Sequence, residues 1–111
     1  MQTPAHQLAG RDGETLVVAC PPELIHDSGE QVRRVVARHL PNRDDARCVL
    51  DMSRVGLISS IGITALLMIH ELCADRNVPL VLAALPERQR QFLRMLKLED
   101  KFVFAPSIDA A

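Results

Sequence analysis

The segment 55–67 constrains the fold most, because it places two hydroxyls and a glycine between two apolar segments. The preceding residues, 47–51, are typical of a short buried strand. The following run, 61–73, is too long for a strand and is rich in good helix formers. The pattern therefore predicts a strand, a turn and a helix, with Ser59 or Ser60 as the N-cap of that helix.

A hydroxyl at the start of a helix lies at the positive end of the helix dipole, where added negative charge is well tolerated. Taken alone, the Ser-Ser-x-Gly sequence favours a simple capping role for Ser60, since serines are common at helix starts. Gly62 has two interpretations as well. It can relieve crowding in the first turn, or it can let a partner's backbone approach closely. The sequence pattern leaves both open.

Three further strands are predicted, at residues 14–20, 78–83 and 101–104. Residues 6–9 could pair with the first of them, because the Asp-Gly pair in the turn 10–13 is a strong hairpin signal. Strands that alternate with helices predict an α/β or α+β domain, in which helices cover a small mixed sheet.

Two further helices are predicted, one on each side of the central segment. The first runs to about residue 40 and begins with a capping box that opens at Asp27 or at Ser28. Its apolar residues fall on one helical face, namely Val32, Val35, Val36 and Leu40. The second opens at Pro86, which suits a first helical position. Its predicted apolar side consists of Phe92, Leu93, Met95 and Leu96.

Length and composition narrow the function classes. The 111 residues fit one domain, 1–111, with loose ends at 1–4 and 107–111. A net charge of -1 argues against nucleic acid as a main partner, because phosphate binding needs a basic surface. The most apolar stretch, 55–69, is too short and too interrupted for stable membrane insertion. The polar N-terminus, which lacks the apolar region of a signal peptide, and the three widely spaced cysteines predict a cytoplasmic location.

Motifs of catalysis and of metal binding are missing from the sequence. It contains no phosphate-binding Gly-x-x-x-x-Gly-Lys, no dinucleotide-binding Gly-x-Gly-x-x-Gly and no Gly-x-Ser-x-Gly elbow. The four histidines lack ligand spacing, and Cys20, Cys48 and Cys73 lie too far apart for a zinc motif. We therefore expect that the chain is not an enzyme and that it binds neither a cofactor nor a metal ion. We also expect the three cysteines to be buried as reduced thiols.

Two short motifs carry a resemblance to a known family. Asp51-Met52-Ser53 stands at the predicted strand end, and Ser59-Ser60-Ile61-Gly62 opens the predicted helix. Together they resemble the STAS domain of bacterial anti-sigma factor antagonists, and the resemblance covers nearly the whole chain. It implies the STAS fold, with a small mixed sheet of about four to five strands covered by about three to four helices.

The resemblance also implies a function in partner switching. The family's phosphorylated serine lies two residues before the glycine and falls on Ser60. The unmodified chain would bind an anti-sigma factor that is also an ATP-dependent serine kinase, and would thereby free a sigma factor. Phosphorylation would abolish this binding, and a serine phosphatase would restore it. The alternative is a STAS module that is never phosphorylated and serves a larger signalling or transporter assembly.

The resemblance places the partner-binding residues on one exposed face formed by Ile25, Ile58, Ser59, Ser60, Ile61, Gly62 and Ile63. Ile25 and Ser59 replace two acids of the family pattern, which predicts altered electrostatic matching with the partner. Asp51 has two interpretations: it could support the site as a carboxylate, or it could only cap a turn.

Overall fold

The computed structural model describes residues 15–40 and 47–111 of the chain. In these ranges one parallel sheet has the strand order β1 (Thr15–Ala19), β3 (Arg47–Asp51), β5 (Leu80–Ala83) and β6 (Val103–Ala105). A smaller parallel sheet joins β2 (Glu23–Leu24) to β4 (Leu57–Ile58). The helices are α1 (His26–His39), α2 (Ser60–Asp75) and α3 (Glu87–Met95), followed by a short 3-10 helix at Glu99–Lys101.

The α/β class is confirmed, and the strand order explains where the helices lie. One helix connects each strand of the main sheet to the next: α1 precedes β3, α2 precedes β5 and α3 precedes β6. Because such crossovers are right-handed and the order advances in one direction, all three helices pack on one face of the sheet. One buried cluster accordingly joins sheet and helices, and includes Leu16, Leu50, Leu82, Leu66 and Leu93.

The predicted strands of the main sheet are present, with their ends shifted by two residues or fewer. The sequence predicts a mixed sheet, whereas every pairing among the described strands is parallel. The antiparallel hairpin that the turn 10–13 indicates lies outside the described residues.

Helix α1 begins at His26, earlier than either predicted capping box allows, so both boxes are wrong. The N-cap residue is Ile25, which has no side-chain oxygen, and Ser28 compensates from inside the first turn. Its Oγ accepts the N–H of Ile25 at 3.0 Å and donates to the carbonyl oxygen of Glu23 at 2.6 Å. The predicted apolar face of α1 is confirmed, since Val32, Val35, Val36 and Leu40 are all buried.

Helix α3 differs from its predicted packing. Leu93 is buried, but Met95 and Leu96 are 79% and 45% exposed, so their assignment to the apolar side is wrong. The helix ends at Met95, and the chain turns through Lys97, whose φ is 61°, before the next turn of the helix could reach the core. The inward position is taken instead by Gln89, whose Nε2 donates to the carbonyl oxygen of Gly56 at 2.9 Å. Helix α3 thereby holds the loop that precedes β4.

The three cysteines, Cys20, Cys48 and Cys73, are buried free thiols, as predicted. Burial raises the pKa of Cys20 to about 12, and the nearby charge of Asp51 adds to the effect. A thiol with that pKa stays protonated near neutral pH, so Cys20 behaves as a small apolar residue of the core.

Glu99 connects the chain after α3 back to that helix. Its carboxylate accepts hydrogen bonds from Arg94 Nη2 at 3.0 Å and from Arg90 Nε at 2.9 Å. The guanidinium of Arg90 also lies 4.3 Å from the ring centroid of Phe104 in β6. The hydrogen bonds from Arg94 and then Arg90 lower the pKa of Glu99 to about 2.

Two glycines let α1, α2 and β2 pack closely. A Cβ on Gly29 of α1 would lie 3.0 Å from the Cβ of Ala65 in α2. A Cβ on Gly62, in the first turn of α2, would lie 2.1 Å from the carbonyl oxygen of Leu24 in β2. The close approach that Gly62 permits is therefore to the chain's own backbone, and not to a partner's.

The low pKa of Glu99 predicts a component of stability that acid removes. Because the folded pKa of about 2 lies below the ordinary value of 4.5, this stabilisation is complete above 4.5 and is lost as the pH falls towards 2. In Glu99→Gln, the urea midpoint should therefore fall less steeply over this range than in the wild type. The neighbouring Asp100→Asn, which removes an exposed carboxylate, is the matched control. Equal slopes for Glu99→Gln and the wild type would contradict the prediction.

Gly62→Ala should destabilise the fold by about 1–3 kcal/mol, the usual cost of overpacking. The backbone carbonyl of Leu24 cannot move aside cheaply, and its overlap with the new methyl outweighs the better helix propensity of alanine, about 1 kcal/mol. Urea denaturation measures the difference. Gly56→Ala is the matched control, since a Cβ there meets nothing within 4 Å, and it should be neutral. A neutral Gly62→Ala would mean that β2 and α2 do not approach so closely.

Candidate functional site at the start of helix α2

The small β2–β4 sheet brings two segments, distant in sequence, to the start of α2. Leu24 pairs with Ile58, and the carbonyl oxygen of Leu24 accepts the N–H of Ser59 at 3.0 Å. Ile25 follows Leu24 directly, and Ser60 follows Ser59. The predicted proximity of Ile25 to the turn before α2 thus has a backbone cause.

The two adjacent serines have different tasks. Ser59 is the N-cap of α2: its Oγ accepts the N–H of Gly62 at 3.1 Å, and it lies 3.5 Å from the carbonyl oxygen of Leu24. Ser60 is the first residue of the helix and is exposed. Its carbonyl oxygen accepts a hydrogen bond from Thr64 Oγ1 at 3.3 Å. The cap that the sequence left open between the two residues therefore belongs to Ser59, and Ser60 presents its hydroxyl to solvent.

Only part of the expected partner-binding face is exposed. Ile25 is 38% exposed, Ile61 is 52% exposed, Ser60 is exposed and Ser59 is half-buried. These residues stay together on the surface around the first turn of α2.

Three residues predicted to lie on this exposed face are buried instead: Ile58, Gly62 and Ile63. The prediction that they are exposed is therefore wrong. Side chains alternate along a strand, and Ile58 in β4 therefore points inward beneath Leu57. The helical phase turns positions 62 and 63 towards the core. These three residues hold the site in place and do not form its surface.

Two exposed residues of this region were missed from the sequence. Leu57, opposite Glu23 in the β2–β4 pair, is 50% exposed, and Met68 of α2 is 45% exposed. A signal for each was available. Strand alternation turns Leu57 outward if Ile58 is inward, and Met68 follows Ile61 by seven residues, which is two turns of a helix.

Asp51 ends β3, as predicted, and its oxygen is used locally. Its Oδ1 accepts the N–H of Ser53 at 3.1 Å, which is a turn-capping hydrogen bond. Among the contacts between described residues, none joins this carboxylate to Ser60. The geometry therefore favours the capping interpretation of Asp51.

The site is uncharged. No acidic residue lies in the first turn of α2, and the sequence from 55 to 69 contains no charged side chain. In residues 15–40 and 47–111 there is no group of three or more His, Cys, Asp or Glu side chains that could hold a metal ion. None of the helices in these two ranges is both long and apolar enough to cross a membrane.

Because Ser59 caps α2 and Ser60 does not, alanine substitutions at the two positions should have unequal effects on stability. Ser59→Ala should lower the free energy of unfolding by about 1 kcal/mol, because the N–H of Gly62 loses its acceptor. Ser60→Ala should leave it almost unchanged, since Ser60 is exposed and caps nothing. Urea denaturation of both variants measures this, and an equal loss in the two would refute the assignment of the cap.

Comparisons with known proteins agree with this fold. The family model of the STAS domain matches residues 6–111. A Thermotoga maritima protein assigned as an anti-sigma factor antagonist has a similar structure, with a TM-score of 0.71 and 14% identity over 87% of this chain and 83% of that chain. A sulfate transporter family protein from Wolinella succinogenes has a TM-score of 0.66 and 24% identity over 88% of this chain and 80% of that chain. No curated protein matches in sequence. The chain belongs to the STAS domain family.

Proposed function

We propose that this STAS domain is an anti-sigma factor antagonist. In its unmodified form it binds an anti-sigma factor that is also a serine kinase, and a sigma factor is released. Phosphorylation of Ser60 ends the binding, and a serine phosphatase restores it. The observation that carries the proposal is the exposed hydroxyl of Ser60 at the first position of α2, beside exposed apolar side chains.

Of the two adjacent hydroxyls, Ser60 is the better substrate for a kinase. A kinase needs a hydroxyl that can leave the surface far enough to enter its active site. Ser59 is half-buried, and its Oγ accepts the N–H of Gly62. Moving this hydroxyl into the active site of a kinase would therefore remove the N-cap of α2. Ser60 carries no such hydrogen bond through its side chain among the described residues.

The fold should tolerate a phosphate on Ser60. The group adds about -1.5 to -2 charges at neutral pH, together with three acceptor oxygens. At the start of a helix these charges meet the positive end of the dipole and first-turn N–H groups that lack intrahelical partners. No acidic residue lies in this turn to oppose them.

The bound complex should not tolerate the phosphate. The exposed apolar side chains of Ile25, Leu57 and Ile61 lie on the segments that meet at the start of α2, and a partner that covers them also removes water from Ser60. A dianion desolvated without a paired cation costs several kcal/mol. Because about 1.4 kcal/mol corresponds to a tenfold change in affinity, phosphorylation is expected to weaken binding by orders of magnitude.

The domain itself catalyses nothing in this scheme, and it acts in the cytoplasm. ATP and magnesium belong to the kinase, and nucleic acid is not a partner. The role of the domain is to present one hydroxyl on a rigid surface. Its rigidity comes from backbone hydrogen bonds such as that from Ser59 to Leu24.

A specific observation favours a second function, that of a STAS module which is never phosphorylated and serves a signalling or transporter assembly. Ser59 stands where the family pattern has an acid, and the first turn of α2 has no other acid. A kinase that recognises its substrate through that acid would not phosphorylate this chain. The same surface would then bind a partner constitutively.

Three variants test the switch. Ser60→Ala should bind the anti-sigma factor and stay bound in the presence of ATP. Ser60→Asp should fold but bind at least about tenfold more weakly, because it places an unpaired charge in the interface. Ser59→Ala should bind and remain sensitive to ATP. Binding titrations with the anti-sigma factor/serine kinase of the same genome, with and without ATP, measure all three.

Phosphopeptide mapping of the same samples identifies the modified residue. Phosphate on Ser59 alone would move the switch by one residue. If no phosphate appears and Ser60→Asp binds as the wild type does, the unphosphorylated module is the correct function.

A further inference from the structure

An exposed apolar surface continues along α2 well beyond Ser60. Ile61, Thr64 and Met68 follow one another at intervals of three and four residues, so they lie on one side of the helix. Thr64 is exposed, and Ile61 and Met68 keep 52% and 45% of their surface accessible. The next exposed position on this side is Glu71, where the uncharged surface ends.

The outer side of the β2–β4 sheet extends the same surface in the other direction. Leu57 is 50% exposed there, although the backbone of β4 is paired, and Ile25, the N-cap of α1 directly after β2, is 38% exposed. We call the combined surface the neutral face, and its residues are Ile25, Leu57, Ser60, Ile61, Thr64 and Met68. A solvent-facing helix side normally carries charged and polar residues, and contiguous apolar surface marks a contact site.

The charges around the neutral face are mostly acidic. At the β2 end are Glu23, opposite Leu57, and Asp27, which is 90% exposed. At the far end of α2 are the exposed acids Glu71 and Asp75. The basic residues in these segments are Arg54, in the loop before β4, and Arg76, the C-cap of α2, whose Nη1 donates to the carbonyl oxygen of Leu40 at 3.2 Å. His26 Nδ1 lies 2.9 Å from Oδ1 of Asp27.

This distribution selects the kind of occupant. If two copies packed neutral face to neutral face, acidic ends would meet acidic ends in either orientation, and like charges that face each other are unfavourable. A charged side chain opposite the centre of the face would be buried without a partner charge, which is also costly. The surface that fits therefore has an uncharged, apolar centre and basic residues at its rim.

We infer that the neutral face docks such a surface on the protein partner, and that the contact runs along α2 from Ser60 to Met68. This inference rests on the proposed function, because it describes the chemistry and the extent of the same interface. Two kinds of contact then determine the kinetics of the complex. Apolar contacts of Ile61 and Met68 govern how slowly the complex dissociates, and the acidic rim governs how fast it forms.

Methionine methyl groups offer a direct test with the full chain. Met68 and Met95 are both exposed, but Met95 lies on α3, outside the neutral face. In protein labelled with ¹³C at the methionine methyls, the anti-sigma factor/serine kinase should shift or broaden the Met68 signal and leave the Met95 signal unchanged. The reverse pattern, or no change in either signal upon binding, would overturn the inference.

Matched substitutions measure the energetics. Met68→Ser should raise the dissociation rate of the complex about fivefold to tenfold, which is the loss expected when one partly exposed apolar side chain leaves a contact. Met95→Ser is the control and should leave binding unchanged. Glu71→Gln should lower the association rate and its dependence on salt, with little effect on dissociation. Thermal unfolding of each variant confirms that the fold is intact.

The outcomes separate the two levels of the argument. If the wild type does not bind the kinase at all, the proposed function fails and this inference fails with it. If the wild type binds but Met68→Ser behaves as the wild type does, the function stands and the extended interface is wrong. If wild-type protein sediments as a dimer that Met68→Ser converts to monomer, the occupant is a second copy of the chain, and the inference is also wrong.

Discussion

The carbonyl group of Leu24 holds the site together. Its oxygen accepts the N–H of Ser59, lies 3.5 Å from that residue's Oγ, and occupies the space in which a side chain at position 62 would stand. One peptide group therefore fixes the strand β2, the helix cap and the first turn of α2 relative to one another. The exposed position of Ser60 follows from this contact, because the cap turns one serine inward and leaves the next outside. These contacts all lie within the chain and need no partner.

Much of the fold could be predicted from the sequence, because its elements differ in period and are well separated by turns. The strand 47–51, the long apolar helix after it and the buried face of α1 were all confirmed. The predictions that failed concern element ends. The start of α1 depends on the hydrogen bonds of Ser28 to Ile25 and to Glu23 of β2, and the exposure of Leu96 depends on a turn at Lys97. Both are local capping and turn geometries that the periodicity of apolar residues does not reveal.

The site could be predicted only in part, for a related reason. The sequence identified the helix start and the two hydroxyls, because caps have a clear local chemistry. It could not divide the exposed from the buried isoleucines, since Ile58, Ile61 and Ile63 are chemically alike and differ only in the direction that β4 and α2 give them. For the same reason Leu57 and Met68 escaped notice. Once strand register and helix phase are known, all five follow from elementary geometry.

The N-cap position of α2 has a consequence for how this domain could change partners. Serine and aspartate cap helices about equally well, because each offers an oxygen to the third N–H of the helix. Ser59 occupies that position, half-buried at the edge of the neutral face. An exchange between the two residues would therefore alter the charge that a partner meets while leaving the helix capped. The electrostatic match to a partner can therefore change through a single substitution at this residue, and the helix stays stable while it does.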